Sequence, residues 1–134
     1  MSVELVTITQ PATEPLTTAE AKAHLRVTHS DDDTYIDALV STARINIEAR
    51  AGVRMFTQTT ELRGDSFAQL ADRSLDIIPL RVSPVQSVDS IKYYDANDAD
   101  TTWSSSAYWE DLTGVPCRVQ LKDTESFPIL NRRI

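Results

Sequence analysis

The sequence predicts an α+β domain in which N-terminal helices, one of them long and amphipathic, precede a small antiparallel β part. Apolar residues recur at helical spacing in the first half, and short alternating segments separated by turn residues fill the second half. Helices followed by strands are typical of an α+β domain. A length of 134 residues with 41% hydrophobic residues fits one domain with its own core.

Residues 1–15 are expected to form an N-terminal arm. Residues 3–9 alternate enough for a short strand. Pro11 and Pro15 then keep the chain extended, because proline lacks a backbone donor and restricts the residue before it. The arm therefore contains an edge strand and no helix.

A short first helix is predicted over about residues 18–25. Thr17 and Glu20 have the spacing of a capping box, and Leu16 occupies the position of a hydrophobic staple. Good helix formers follow. The helical part of the chain thus begins at Thr17.

The second helix carries the strongest local pattern, and with the first it fills residues 17–51. We expect Ser30 or Asp31 to cap its start and Gly52 to end it, while the carboxylates of residues 31–33 favour its N-terminal dipole. One apolar stripe is expected to face the core and consists of Ile36, Leu39, Val40, Ala43, Ile47 and Ala51.

Four or five short strands are expected over residues 55–121, and residues 129–134 form a tail. Val88, Ile91 and Tyr93 are core candidates. Alternation and turn residues place the strands in the segments 57–63, 75–80, 87–95 and 117–121, with a hairpin arm around 101–109.

The sequence contains no recognisable catalytic centre, metal site or cofactor site. His24 and His29 lie near no nucleophile motif, and three glycines in the chain cannot form a glycine-rich phosphate loop. Cys117, the only cysteine, lies in an alternating segment and is expected to be a core residue. We therefore predict that the chain is not an enzyme.

Two acidic clusters have simple structural explanations. Asp31, Asp32 and Asp33 could suggest a cation site, but a calcium loop would place glycine at residue 36 and glutamate at residue 42. A helix cap is the simpler interpretation. In the segment 95–100, Asp100 stands at the sixth position, where a calcium loop needs glycine. This segment is therefore expected to be a turn.

Aromatic and basic residues suggest where partners could bind. Trp103, Tyr108 and Trp109 cluster within seven residues and are either core residues or contacts to a partner or another subunit. Arg132 and Arg133 form the only adjacent basic pair, which suits either an acidic partner surface or a solvated tail.

The net charge of −7 argues against wrapping DNA or lying on an anionic membrane, because phosphate neutralisation needs clustered basic residues. The opening segment lacks the basic start and apolar block of a signal peptide. No apolar run approaches the roughly 20 residues that span a bilayer. A soluble protein is therefore expected.

Several segments resemble the phage head-tail connector, or adaptor, family. They are LTTAEAKAHLRV at 16–27, the aspartates at 31–33, the long helix ending at Gly52, TQTTELR at 57–63, and the proline-interrupted run leading into SVDSIKYYD at 87–95. The match covers residues 16–128, which would be the connector domain.

This resemblance implies a virion protein of the head-tail neck, made in the host cytoplasm and acting in head completion. Family members assemble as a ring of about twelve copies beneath the portal protein and contact the next neck or tail protein. DNA passes through the ring without sequence-specific binding, and Asp31, Asp32 and Asp33 are candidates to face that channel, because carboxylates repel phosphates.

Two alternatives remain open from the residues alone. The first is a small non-enzymatic protein-binding module, which would be a stable monomer with one soluble partner. The second is an enzyme with an unrecognised pair of carboxylates, which would need a cleft holding two close carboxylates with raised pKa values.

Overall fold

A computed structural model describes residues 3–72 and 74–128 and contains α-helices together with antiparallel sheets, so the predicted α+β class is confirmed. The chain divides into two compact units. The helical unit is Thr7–Thr59, and the sheet unit combines the described residues before Thr7 with those from Thr60 onward. Within the described residues, no helix has both the length and the apolar character needed to cross a membrane.

The first helix, α1 (Thr18–Leu25), begins at the predicted capping box. The Thr17 hydroxyl accepts a hydrogen bond from the Glu20 backbone N–H, and the Glu20 carboxylate accepts one from the Thr17 backbone N–H at 2.8 Å. Two helix-terminal donors are thereby satisfied. The prediction for this helix is confirmed.

The second helix, α2 (Asp33–Ala51), ends as predicted at Gly52, whose φ of 65° lies in the left-handed region that glycine adopts easily. Its start was predicted wrongly. Asp32 is the N-cap residue and makes no side-chain cap hydrogen bond. Ser30 contributes only its carbonyl, which accepts from the Asp33 backbone N–H at 3.2 Å.

The buried side of α2 also differs from the prediction. Ile36 is buried, but Leu39 is 46% exposed and Ile47 is 51% exposed. Arg44 and Glu48 are buried in their place. The helix is therefore rotated so that polar groups occupy much of its inner side, and four of the six stripe residues are exposed, namely Leu39, Ala43, Ile47 and Ala51.

The strands of the described residues are β1 (Glu4–Thr9), β2 (Thr59–Arg63), β3 (Ile77–Pro79), β4 (Lys92–Tyr94), β5 (Asp100–Thr102), β6 (Tyr108–Asp111) and β7 (Arg118–Leu121). In this part of the chain they form three small sheets, with strand order β1-β2 in one, β3-β7-β6 in the second and β4-β5 in the third. The last two sheets are antiparallel. The sheet unit also contains a short helix, α3 (Phe67–Leu70), between β2 and β3.

An aromatic cluster forms the centre of the sheet unit. The Phe67 ring packs edge-on against Trp103 at a centroid distance of 5.4 Å and stacks on Phe127 at 5.5 Å. Trp103 also contacts Tyr108. The predicted core residues Val88, Ile91 and Tyr93 are partly buried against this cluster. This is the main apolar core among the described residues.

Trp103 and Trp109 provide a matched test of this core. Trp103 is 8% exposed and Trp109 is 64% exposed. Trp103→Ala should lower the free energy of unfolding by about 3–5 kcal/mol through cavity formation, and Trp109→Ala by less than about 1 kcal/mol. Urea titrations would measure both. Equal losses in the two variants would contradict the assigned core.

Candidate functional site

The described residues bring together no three His, Cys, Asp or Glu side chains that could hold a metal ion. An open cleft of about 450 Å³ lies beside α1 and the start of α2. The Lys22–Asp33 ion pair and short apolar side chains line it. The candidate functional features are consequently surfaces of the two units and the buried polar contacts that shape them.

The three aspartates before and within α2 do not share one environment. Asp31 and Asp32 are exposed, and the His29 ring nitrogens lie 4.0 and 3.7 Å from their carboxylates. Asp33 forms an ion pair with Lys22 of α1. Two of the three candidate channel carboxylates thus face solvent, while the third helps to join the helices.

The aromatic candidates also separate. Trp103 and Tyr108 are buried in the core of the sheet unit, so they match the core alternative. Trp109 on β6 is exposed, and the Lys122 ammonium lies 4.3 Å from its ring centroid. Arg132 and Arg133 lie outside the described residues. Of the three aromatic candidates, Trp109 is therefore the exposed one that remains a candidate for a partner contact.

Two structural predictions are confirmed, namely the burial of Cys117 and the turn at residues 95–100. Cys117 is buried, and its thiol donates to the Leu112 and Gly114 carbonyls at 3.3 Å. The Asp95 carboxylate accepts from the backbone N–H groups of Asn97 and Ala99 at 2.8 and 3.0 Å, which is a turn contact. Both are structural roles.

The sequence analysis missed a buried ion network centred on Arg44. This side chain is 2% exposed, yet every part of its guanidinium has a partner. Its Nε donates to Glu14 at 2.7 Å, Nη1 donates to Glu48 at 3.1 Å, and Nη2 donates to Gln10 at 3.0 Å. The network joins the N-terminal arm to the middle of α2.

Glu48 extends the network to the segment that follows α2. Its carboxylate accepts from the Met55 backbone N–H at 2.9 Å and from the Gln58 amide at 3.0 Å. Burial alone would raise the pKa of Glu48, but these hydrogen bonds and the charges of Arg44 and Arg54 outweigh it and lower the pKa. The buried carboxylate is therefore held ionised.

Glu14 completes the network from the arm. A hydrogen bond from Arg44 is the main reason that the pKa of Glu14 is lowered, and Ser41 of α2 adds a second donor at 2.9 Å. The sequence offered one signal for these contacts. Arg44 and Glu48 are four residues apart on a helix, a spacing at which opposite charges meet.

Large exposed apolar side chains are concentrated in the helical unit. Among the described residues of this unit, the buried apolar side chains are Ile36 and the smaller Ala21. The exposed ones are Ile8, Leu16, Leu25, Tyr35, Leu39, Ile45, Ile47 and Met55. The helical unit therefore exposes these apolar side chains while it buries the charged side chains of Arg44 and Glu48.

No protein-family model, curated protein or solved structure matches this chain.

Arg44→Met should lower the free energy of unfolding by about 3–5 kcal/mol, because it leaves the Glu48 carboxylate buried without its cation. Arg44→Met/Glu48→Met should lose less than the single variant, since both charges are then gone. Arg26→Met, at an exposed arginine of the same helical unit, is the control. Urea titration showing that Arg44→Met behaves like Arg26→Met would contradict the network.

Acid should weaken the fold through Glu48. Its folded-state pKa lies below the ordinary value of 4.5, so its contribution to stability is present above about pH 4.5 and is lost as pH falls through the folded-state pKa. Glu48→Gln should therefore show a smaller loss of stability between neutral and acid pH than the parent chain. Thermal unfolding across that range measures the difference, and parallel curves would argue against this role.

Proposed function

We propose that the chain is a non-enzymatic structural adaptor that assembles as a ring beneath a phage portal and joins capsid to tail. The observation that carries the proposal is the helical unit itself, which buries an ion network and exposes many large apolar side chains. A subunit whose apolar surface is covered by neighbouring subunits is expected to look like this.

The segments that carry the family resemblance support the proposal by their positions. LTTAEAKAHLRV spans α1 with its capping box, and SVDSIKYYD contains β4 and three side chains packed on the aromatic core. These motifs therefore coincide with elements on which the fold depends. The inference from the motifs to a neck protein of the virion remains our proposal.

Ring assembly also requires two different contact faces on each subunit. The exposed side of α2 supplies one candidate in the helical unit. Trp109 supplies the other in the sheet unit, where an exposed tryptophan beside Lys122 can anchor a neighbour, the portal or the next neck protein. The two faces differ in chemistry, as a head-to-tail contact requires.

We further propose that Asp31 and Asp32 lie toward the DNA channel. Both carboxylates are exposed and adjoin the N-terminus of α2. An acidic lining does not gather phosphates, so the genome passes without sequence-specific binding, whereas basic residues would hold it. Asp33 is excluded from this role because it is paired with Lys22.

A small protein-binding module is the second candidate function, and the exposed Trp109 is the observation that favours it. An aromatic anchor of this kind is a common feature of a binding surface for one soluble partner. Such a module would need no ring and no portal.

Electron microscopy of the chain mixed with the portal protein of its own phage tests the proposal. We expect ring density of this fold docked on the portal, and Trp109→Ala or Leu39→Glu should reduce docking or ring formation without unfolding the chain. Thr102→Ala, an exposed substitution on β5 away from Trp109, is the control. A chain that never binds portal but binds one soluble partner would favour the binding module.

A further inference from the structure

The outward side of α2 carries a continuous row of exposed residues that we call the outer stripe. It is uncharged from Tyr35 as far as Ile47 and ends at Arg50. Tyr35, at one end, is 66% exposed. The small residues near its middle allow close approach of another helix. The stripe consists of Tyr35, Ala38, Leu39, Thr42, Ala43, Asn46, Ile47 and Arg50.

The two ends of the outer stripe have opposite charge. Asp31 and Asp32 are exposed immediately before α2 begins, and Arg50 is exposed in its last turn. The helix dipole leaves the N-terminal end partially positive and the C-terminal end partially negative. A second helix lying antiparallel would place each acidic end beside a basic end and would oppose the two dipoles.

We propose that two copies of the free chain pair antiparallel through the outer stripe, about a two-fold axis beside Thr42. In this pairing Tyr35 lies opposite Arg50 of the second copy, and Leu39 lies opposite Asn46. The proposal does not depend on the ring. A two-fold contact is closed and cannot be extended into a ring, so the pair is a state of the free chain.

A second copy fits the stripe because the stripe complements itself. The bulky residues Leu39 and Ile47 lie on either side of the small residues at its centre, so large side chains meet small ones across the axis. The row from Tyr35 to Arg50 is about 22 Å long, enough for several turns of helix contact. A guanidinium over the Tyr35 ring adds a cation–π contact at each end.

A cysteine placed near the axis tests the pairing directly. Thr42→Cys should form a disulfide-linked dimer under mild oxidation at least about tenfold faster than Thr34→Cys, because pairing raises the local concentration of one thiol near the other. Thr34 is an exposed residue in the first turn of α2, about 13 Å from the axis along the helix, so its two copies lie about 25 Å apart in the pair. Both variants keep the buried Cys117. Native mass spectrometry of the parent chain over a concentration series should show dimer.

Charge reversal tests the antiparallel direction. Arg50→Glu should weaken the dimer about tenfold or more, because it places a carboxylate beside Asp31 and Asp32 of the second copy. Asp32→Lys combined with Arg50→Glu should restore pairing. Residues 32 and 50 of one chain are about 27 Å apart along the helix, so only a contact between two copies can account for the rescue.

The proposal would be overturned by a parent chain that stays monomeric at all concentrations, by equal cross-linking of Thr42→Cys and Thr34→Cys, or by no rescue of Arg50→Glu. A Thr42→Cys thiol that is protected from maleimide in a monomer would show that another part of the same chain covers the stripe, which also overturns it. These experiments use the purified chain alone, so their failure leaves the portal-binding test unaffected.

Discussion

The structure of the helical unit depends on one buried cation, the Arg44 guanidinium. A buried charge is tolerated only when it is paired and fully hydrogen-bonded, and here two carboxylates and one amide meet that demand. The partners come from the N-terminal arm and from α2 itself. Through Glu48, the segment after the helix is held by the same network. One side chain therefore fixes the path of three separate segments.

This network has a consequence for the surface of α2. A helix has a limited inner side, and the part that Arg44 and Glu48 occupy is unavailable to apolar residues. Ile36 remains inside, while Leu39 and Ile47 are turned toward solvent. Polar contacts thus set which side of α2 faces inward, and apolar side chains of the helix are left exposed. In the sheet unit the usual arrangement holds, with aromatic residues inside.

The sequence predicted where the helices begin and end better than it predicted which of their side chains are buried. Capping signals and glycine are local, so Thr17 with Glu20 and the exit at Gly52 could be recognised directly. The side of α2 that is buried could not, because apolar periodicity assumes an apolar interior. Two partners of Arg44, Glu14 and Gln10, are 30 and 34 residues away along the chain, where periodicity gives no information.

The environments of the candidate site residues likewise depend on neighbours that are distant in sequence. Trp103 and Trp109 have the same side chain and lie six residues apart, yet one is core and the other surface. Their difference follows from contacts with Phe67 and Phe127, which are distant in sequence. Asp33 differs from Asp31 because a lysine of α1 lies beside it. The spatial neighbours decide which residue of a local cluster can act on a partner.

The central claim is that buried charge, and not apolar burial, sets the orientation of α2. Solvent paramagnetic relaxation of methyl groups measures this orientation most directly. The Arg50→Glu variant is used because the change is expected to weaken pairing through the outer stripe. The account predicts strong relaxation of the Leu39 and Ile47 methyls and protection of those of Ile36. Protection of all three side chains would mean that α2 buries its apolar stripe, and would contradict the account.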